Sequence, residues 1–170
     1  VLFRSAPGRS GAYSLAFNLS SLERSAQVLR ERLSPEHARW LRAMRQDFQD
    51  SLDPMPAHLQ ALAPTLEHLG MQLAAVTGAQ SDRMTRDPGW RLLTVGRLIE
   101  RLCGYANMLK SFWQHDALYQ PQGYDELLGL FDSAITFRAR FQRRLEVPAL
   151  LALLVLDESN PRSLACVLRR

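Results

Sequence analysis

The spacing of the apolar residues constrains this chain more than any other feature of its sequence. These residues recur every three to four positions, as in "LSSLERSAQVLRERL", and no segment alternates apolar and polar residues for long, as a half-buried strand would. Short stretches with proline or glycine, such as "RDPGW" and "QPQG", interrupt the pattern. Helices joined by short connections predict an all-α antiparallel bundle of about six to seven helices.

The interruptions place the individual helices. The predicted helices cover about residues 13–33, 35–51, 56–80, 88–119 and 124–145, followed by a short apolar helix from 148 and a last helix from 160. Ser34 and Pro35 provide the second helix with an N-cap and a first-turn proline, and Asn160 with Pro161 predicts the start of the last. A chain of 170 residues suits one domain with a sizeable core, so we expect a single domain over residues 1–170.

The charge of the chain is carried almost wholly by arginine. The net charge is +4, and of the 21 basic residues only Lys110 is a lysine. Arginine suits bidentate pairing with carboxylates and phosphates, although a codon bias would give the same composition. A charge of this size, spread along the chain, gives little support for nucleic-acid binding.

Several classes of protein and site find no support in the sequence. Cys103 and Cys166 form no CxxC pair, as expected of a reduced, cytoplasmic protein. The longest apolar run, "VPALLALLVL", is half a membrane span, so we expect no membrane contact. The 4 histidines show no HxxxH or HExxH spacing, and no glycine-rich phosphate loop follows a strand, so we expect neither a metal nor a cofactor.

The fourth predicted helix carries charges where a core is expected. Arg97, Glu100 and Arg101 lie together between Gly96 and Gly104. Glu100 can pair with Arg97 three residues earlier, whereas a glycine costs a helix about 1 kcal/mol against alanine. Two glycines predict a close approach to the backbone, at a helix or ligand contact. The alternative is an ordinary surface ion pair.

The fifth predicted helix places Arg138 in the middle of its apolar stripe, with Arg140 on the other side. A buried guanidinium needs an acidic partner, for which Glu100 is the first candidate and Asp157 or Glu158 the next. Alternatively the Arg138 stem packs while its charged end reaches water. If Glu100 belongs to a buried network, its replacement by glutamine is expected to cost about 3 kcal/mol of stability.

The stretch "LDESNPRSL" follows the short apolar helix. Asp157 and Glu158 open it, and Asn160 with Pro161 is predicted to start a helix whose N-terminal amides could hold an anion, with Arg162 in the first turn. The alternative is a plain capping turn.

Three ordered motifs, "RDPGWRLLTVGRLIERL", "DSAITFRARF" and "LLVLDESNPRSLACVL", resemble the second half of the bacterial Alpha-E family, an all-helical domain with a Glu-Arg motif. The likeness covers about residues 20–170, including "LRERLSPEHARW". The matching residues are Trp90, Arg91, Gly96, Arg97, Glu100 and Arg101; Thr136, Arg138, Arg140 and Phe141; and Asp157, Glu158, Asn160, Pro161, Arg162 and Ser163. Leu98 and Phe137 depart from the pattern, which often has arginine and tyrosine there.

The resemblance implies partners rather than a reaction. Members of the family are fused to, or encoded beside, circularly permuted ATP-grasp proteins and transglutaminase-like proteins, which suggests amide-bond chemistry on peptides or small amino compounds. The family's first helix, with a first Glu-Arg motif, is missing here. We therefore expect a piece of a longer protein, the C-terminal part of a larger fusion.

Three hypotheses follow. The first is a helical module accessory to an ATP-grasp, peptide-ligase-like system, whose buried Glu/Arg network binds an anionic peptide-like ligand or fixes the bundle. The second is a catalytic domain that acts on amide bonds through Glu100 or Glu158. The third is an arginine-rich nucleic-acid-binding module. The network candidates are Arg97, Glu100, Arg101, Arg138, Arg140, Asp157, Glu158, Asn160 and Arg162.

Overall fold

The computed structural model describes residues 14–53, 58–142 and 146–170, and within these ranges it contains eight α-helices and no strand. The predicted all-α class is therefore confirmed. The helices are α1 (Leu15–Val28), α2 (Pro35–Asp50), α3 (Ala63–Arg83), α4 (Pro88–Gln114), α5 (Pro121–Leu130), α6 (Ala134–Phe141), α7 (Val147–Leu151) and α8 (Leu164–Arg169). Contacts divide the chain into two compact units, one ending at Thr85 and the other beginning at Arg86. The single domain expected over residues 1–170 stays a prediction.

The first unit packs α1 and α3 on α2. Leu41, Met44 and Phe48 of α2 are almost wholly buried and form its core with residues such as Leu19 and Val76. The predicted start of α2 is confirmed. The Ser34 hydroxyl accepts a hydrogen bond of 3.2 Å from the backbone N–H of His37, and proline occupies the first turn.

The second unit gathers its core around α5, α6 and α7, against which one side of α4 packs. Leu127, Phe131, Phe137, Leu150 and Leu154 are all at most 2% exposed. α4 runs for 27 residues, but only Tyr105 and Leu109 are buried, each at 9% exposure. Much of α4 is therefore available for other contacts.

The fifth predicted helix is in fact two helices. The chain turns between α5 and α6 at Asp132, whose φ of 48° lies in the left-handed region, and the backbone N–H of Ser133 bonds back to the Leu128 carbonyl at 2.9 Å. The single helix predicted over 124–145 is therefore wrong at this point, and its residues 143–145 lie outside the described ranges. Because of this break, the residues from Ala134 onwards point in directions other than those expected for one continuous helix, and this change includes Arg138.

The last helix also begins later than predicted. α7 continues into a π-helical turn, Ala152–Leu156, and an irregular segment then leads to α8. The Ser163 hydroxyl caps α8 by accepting a 3.0 Å hydrogen bond from the backbone N–H of Cys166. The predicted start at Asn160 and Pro161 is wrong, because the Asn160 side chain points into the core instead of capping a helix.

Among the described helices, none is both long and apolar enough to cross a membrane.

Candidate functional site

The segment from Asp157 to Ser163 folds into a turn held by its own side chains and by Arg140 of α6. Arg140 forms an ion pair with Asp157 and donates a 2.8 Å hydrogen bond to the Ser159 hydroxyl. Ser159 donates to the Asp157 carboxylate from its backbone N–H at 2.9 Å and from its hydroxyl at 2.7 Å. Hydrogen bonding from Ser159, reinforced by the charge of Arg140, lowers the pKa of Asp157 from its ordinary value.

Asn160 anchors this turn in the interior. Its residue exposure is 3%, and its Nδ2 donates to the hydroxyl of Ser133 at 3.2 Å and to the carbonyl of Leu153 at 3.1 Å. Its Oδ1 accepts a 3.1 Å hydrogen bond from the backbone N–H of Arg162. The amide therefore joins the α5–α6 junction, the end of the π-helical turn and the following residues. The Asn160 side chain therefore stabilises the interior of the fold, and its amide is not directed towards a site for an anion.

Arg162 connects the same turn to α4. Its guanidinium donates to the Tyr105 hydroxyl at 3.4 Å and pairs with the Asp132 carboxylate at 3.3 Å. The hydrogen bond to Tyr105 is the main cause that raises the pKa of Arg162. Tyr105 also stacks on Phe131, with ring centroids 4.3 Å apart. Arg162 thus meets two side chains that the sequence did not identify as its partners.

The predicted burial of Glu100 and Arg138 is wrong. Both residues are exposed, and no hydrogen bond or ion pair joins them within the described residues. Tyr105 and Leu109 mark the core-facing side of α4, and Glu100 lies well away from it on the helix circumference. Because α6 restarts in a new phase after the break, Phe137 takes the core position in place of Arg138.

The two arginines of the α4 cluster are half-buried. Burial, followed by the like charge of Arg101, lowers the pKa of Arg97. The close approach predicted from Gly96 and Gly104 is not found, because a Cβ added at either glycine would meet no atom within 4 Å. The glycines therefore leave open space beside Glu100.

Exposed apolar side chains lie next to Gly96 on α4. Leu92, Val95 and Ile99 are 73%, 51% and 54% exposed and lie on successive turns of α4. Gly96 and Glu100 lie beside them on the same exposed side. We call these five residues the α4 face.

Glu158, the second candidate acid, pairs with Arg169 of α8. The two side chains are 47% and 70% exposed, so this is a surface ion pair of small energetic weight.

Sequence reasoning missed the partners that complete the turn, Tyr105 and Ser159 above all. Asp132 and Ser133, at the break between α5 and α6, were not identified as partners either. The one available signal was an Asp-Ser pair inside a helical pattern, since both residues favour turns over helix interiors.

No group of three or more His, Cys, Asp or Glu side chains able to hold a metal ion occurs in the described part of the chain. Every buried side-chain nitrogen or oxygen described there has a hydrogen-bond partner. The polar network is therefore internally satisfied, whereas Glu100 and Arg138 face outward.

Comparison with known proteins gives one family match. The Alpha-E family, characterised as "a predicted alpha-helical domain with a conserved ER motif", matches residues 4–170. The chain is 28% identical to "Uncharacterized protein Rv2567" of Mycobacterium tuberculosis over 170 aligned positions, and the match covers 96% of this chain and 19% of that protein. It is 27% identical to "Uncharacterized protein Mb2597" of Mycobacterium bovis, with the same coverage of 96% and 19%.

The chain thus spans about a fifth of the length of these relatives. No solved structure matches it significantly.

Proposed function

Since the chain belongs to the Alpha-E family of α-helical domains, we propose that it is a helical module accessory to an ATP-grasp, peptide-ligase-like system. In this proposal the module acts through contact with the circularly permuted ATP-grasp domain, in the same polypeptide or in a neighbouring protein. The family resemblance supplies the identity of this partner. The relatives, of which the chain covers 19%, leave ample sequence for such a domain.

The exposed α4 face is the observation that carries the proposal. Leu92, Val95 and Ile99 expose more than half of their surface on consecutive turns of one helix. A contiguous exposed apolar patch rimmed by polar residues is typical of a protein-interaction surface. The open positions beside Gly96 and Gly104 leave room for a partner backbone to approach closely.

Glu100 supplies the polar part of this surface. Its carboxylate is exposed and has no ion-pair or hydrogen-bond partner among the described side chains. A charge at the edge of an apolar contact adds orientation and selectivity more than affinity. The half-buried Arg97 and Arg101 flank it, so the Glu-Arg motif marks the edge of the proposed contact.

The turn around Asn160 has a different role in this proposal. Its hydrogen bonds are satisfied within the second unit, which favours fixing the fold over binding a ligand. Glu158 on the surface with Arg169, and Glu100 on an open helix side, lack the sheltered setting on which acid–base catalysis relies. A binding module is therefore favoured over an enzyme.

A pair of isoleucine variants tests the proposal. Ile99 and Ile135 are both exposed, at 54% and 84%, but Ile135 lies on α6, outside the α4 face. The chain is titrated with the purified circularly permuted ATP-grasp domain of its own system by calorimetry. Ile99→Asp should weaken binding by about tenfold or more, whereas Ile135→Asp should not change it.

The charge-reversed variant Glu100→Arg should also weaken binding, with a stronger effect at low salt. Absence of binding by the unmodified chain, or equal losses in the two isoleucine variants, would contradict the proposal.

A further inference from the structure

We propose that the first unit binds a short apolar peptide, or a single apolar amino acid, in its zwitterionic form. The site is a groove between α2 and α3 at Trp40 and Arg83. It belongs to the first unit, whereas the α4 face belongs to the second, and it does not depend on the proposed function.

Two adjoining clefts make up this groove. Their volumes are about 360 Å³ and about 210 Å³, and both are lined by Trp40, Ala79 and Arg83. Together they have the size of a small-molecule site. Trp40, Ala79 and Arg83 form the boundary between them, so a ligand in the larger cleft contacts residues that also line the smaller one.

The larger cleft is lined mainly by small apolar side chains. Ala43 contributes from α2, and Ala75, Val76, Gly78 and Ala79 contribute from α3. The indole of Trp40, which is 41% exposed, stands at its edge. This lining suits an aliphatic or aromatic side chain and offers little to a fully polar ligand.

A negative and a positive side chain line the larger cleft beside these apolar residues. Asp82 and Arg83 are neighbours in α3 and both line the larger cleft. Arg83 lies over the Trp40 ring, 5.7 Å from the centroid, and its Nη1 is 3.6 Å from Glu36 Oε2. The Arg83 and Glu36 side chains are 61% and 56% exposed, so water weakens this pair and a ligand carboxylate can replace it.

Asp82 completes the charge pattern. Within the described residues no hydrogen bond or ion pair occupies its carboxylate. Asp82 and Glu36 balance Arg83 and Arg32, which lines the smaller cleft, so the groove favours neither a simple anion nor a simple cation. A ligand that carries one carboxylate and one ammonium group beside an apolar body can pair its carboxylate with Arg83 and its ammonium group with Asp82.

A buried hydrogen bond joins α2 and α3 at this place. Nε2 of His37 and Nε2 of Gln80 are 3.0 Å apart, and these residues are only 5% and 8% exposed. His37 also lines the smaller cleft. The width of the groove is therefore fixed by the packing of α2 on α3 before any ligand arrives.

Three dipeptide probes test the zwitterion. L-leucyl-L-alanine has both charges, its N-acetyl derivative lacks the ammonium group, and its C-terminal amide lacks the carboxylate. Trp40 fluorescence reports binding once Trp90 and Trp113 are replaced by phenylalanine. We expect saturable binding of the free dipeptide, weakened about tenfold or more by blocking either end. Equal binding of all three probes, or saturation by none, overturns the proposal.

Two glycine variants test the location. Gly78 and Gly70 are both exposed residues of α3, and a Cβ added at either meets no atom within 4 Å, so a side chain can start from both without a backbone clash. Only Gly78 lines the larger cleft. Gly78→Leu should abolish dipeptide binding, and Gly70→Leu should preserve it. Undiminished binding in Gly78→Leu would place the ligand elsewhere and overturn the proposal.

Arg83→Gln identifies the carboxylate partner. This variant should bind the free dipeptide about tenfold more weakly and should bind the amide derivative with unchanged affinity. Equal weakening of both probes would rule out the Arg83 contact.

Discussion

The side-chain amide of Asn160 donates a 3.2 Å hydrogen bond to the hydroxyl of Ser133, although 27 residues separate them in the sequence. Both residues are buried, at 3% and 0% exposure. The Ser133 hydroxyl in turn donates a 3.0 Å hydrogen bond to the Phe131 carbonyl. This contact fastens the C-terminal turn to the break between α5 and α6.

Removal of that amide should destabilise the protein. Asn160→Ala leaves the Leu153 carbonyl and the Arg162 backbone N–H without their partner in the interior, which should cost about 3 kcal/mol of unfolding free energy. Urea unfolding followed by circular dichroism measures the loss. Asn107→Ala, at an exposed position of α4, is the matched control and should stay within about 0.5 kcal/mol. Similar losses in both variants would argue against the anchoring role.

Neutralising Glu100 should leave stability unchanged. The loss of about 3 kcal/mol expected from the sequence assumed a buried network. Because Glu100 is exposed, Glu100→Gln should change the unfolding free energy by less than about 0.5 kcal/mol. Thermal and urea unfolding provide the measurement, and a large loss would mean that the carboxylate is paired after all.

Replacement of glycine by alanine should raise the stability of the protein at one position and lower it at another. Gly96 is exposed within a helix and open at its Cβ position, so Gly96→Ala should stabilise the chain by about 1 kcal/mol. At Gly123 an added Cβ would lie 2.4 Å from the carbonyl oxygen of Ala117, so Gly123→Ala should destabilise it. The denaturant midpoint should rise for Gly96→Ala and fall for Gly123→Ala. Midpoints that both rise would contradict the close packing at Gly123.

Tyr124 should make stability fall at alkaline pH. Burial, with the nearby charges of Glu146 and Asp125, raises its pKa from 10.0 to about 12. The folded state therefore holds the phenol proton more tightly, and this stabilisation, complete below pH 10, is lost as pH rises towards about 12. Tyr124→Phe should flatten the fall of unfolding free energy over that range. Tyr119→Phe, at an exposed position, should not, and identical slopes in both variants would refute the assignment.

Local signals in the sequence predicted the fold class and several helix starts. The serine cap and first-turn proline at Ser34 and Pro35 form α2 through contacts only three residues apart, which a sequence pattern can reveal. The left-handed residue Asp132 and the inward turn of Asn160 depend on partners elsewhere in the chain. A pattern of neighbours cannot predict these.

The same distinction explains the outcome at the candidate site. Arg140 and Asp157 belong to the predicted set and meet in the structure, whereas Glu100 and Arg138 do not. The spacing of apolar residues indicated which side of a helix is apolar. It did not reveal the break at Asp132, after which different residues of α6 face the core. Whether a residue such as Val95 is covered depends on which elements pack against α4.

The π-helical turn Ala152–Leu156 has a consequence for natural and engineered length variation. Removal of one residue from it would rotate everything that follows by about 100° around the helix axis. The carboxylate of Asp157 would then swing out of reach of Arg140, and Asn160 would no longer enter the interior. Deletions and insertions within these five positions should therefore be far less tolerated than conservative exchanges of their side chains.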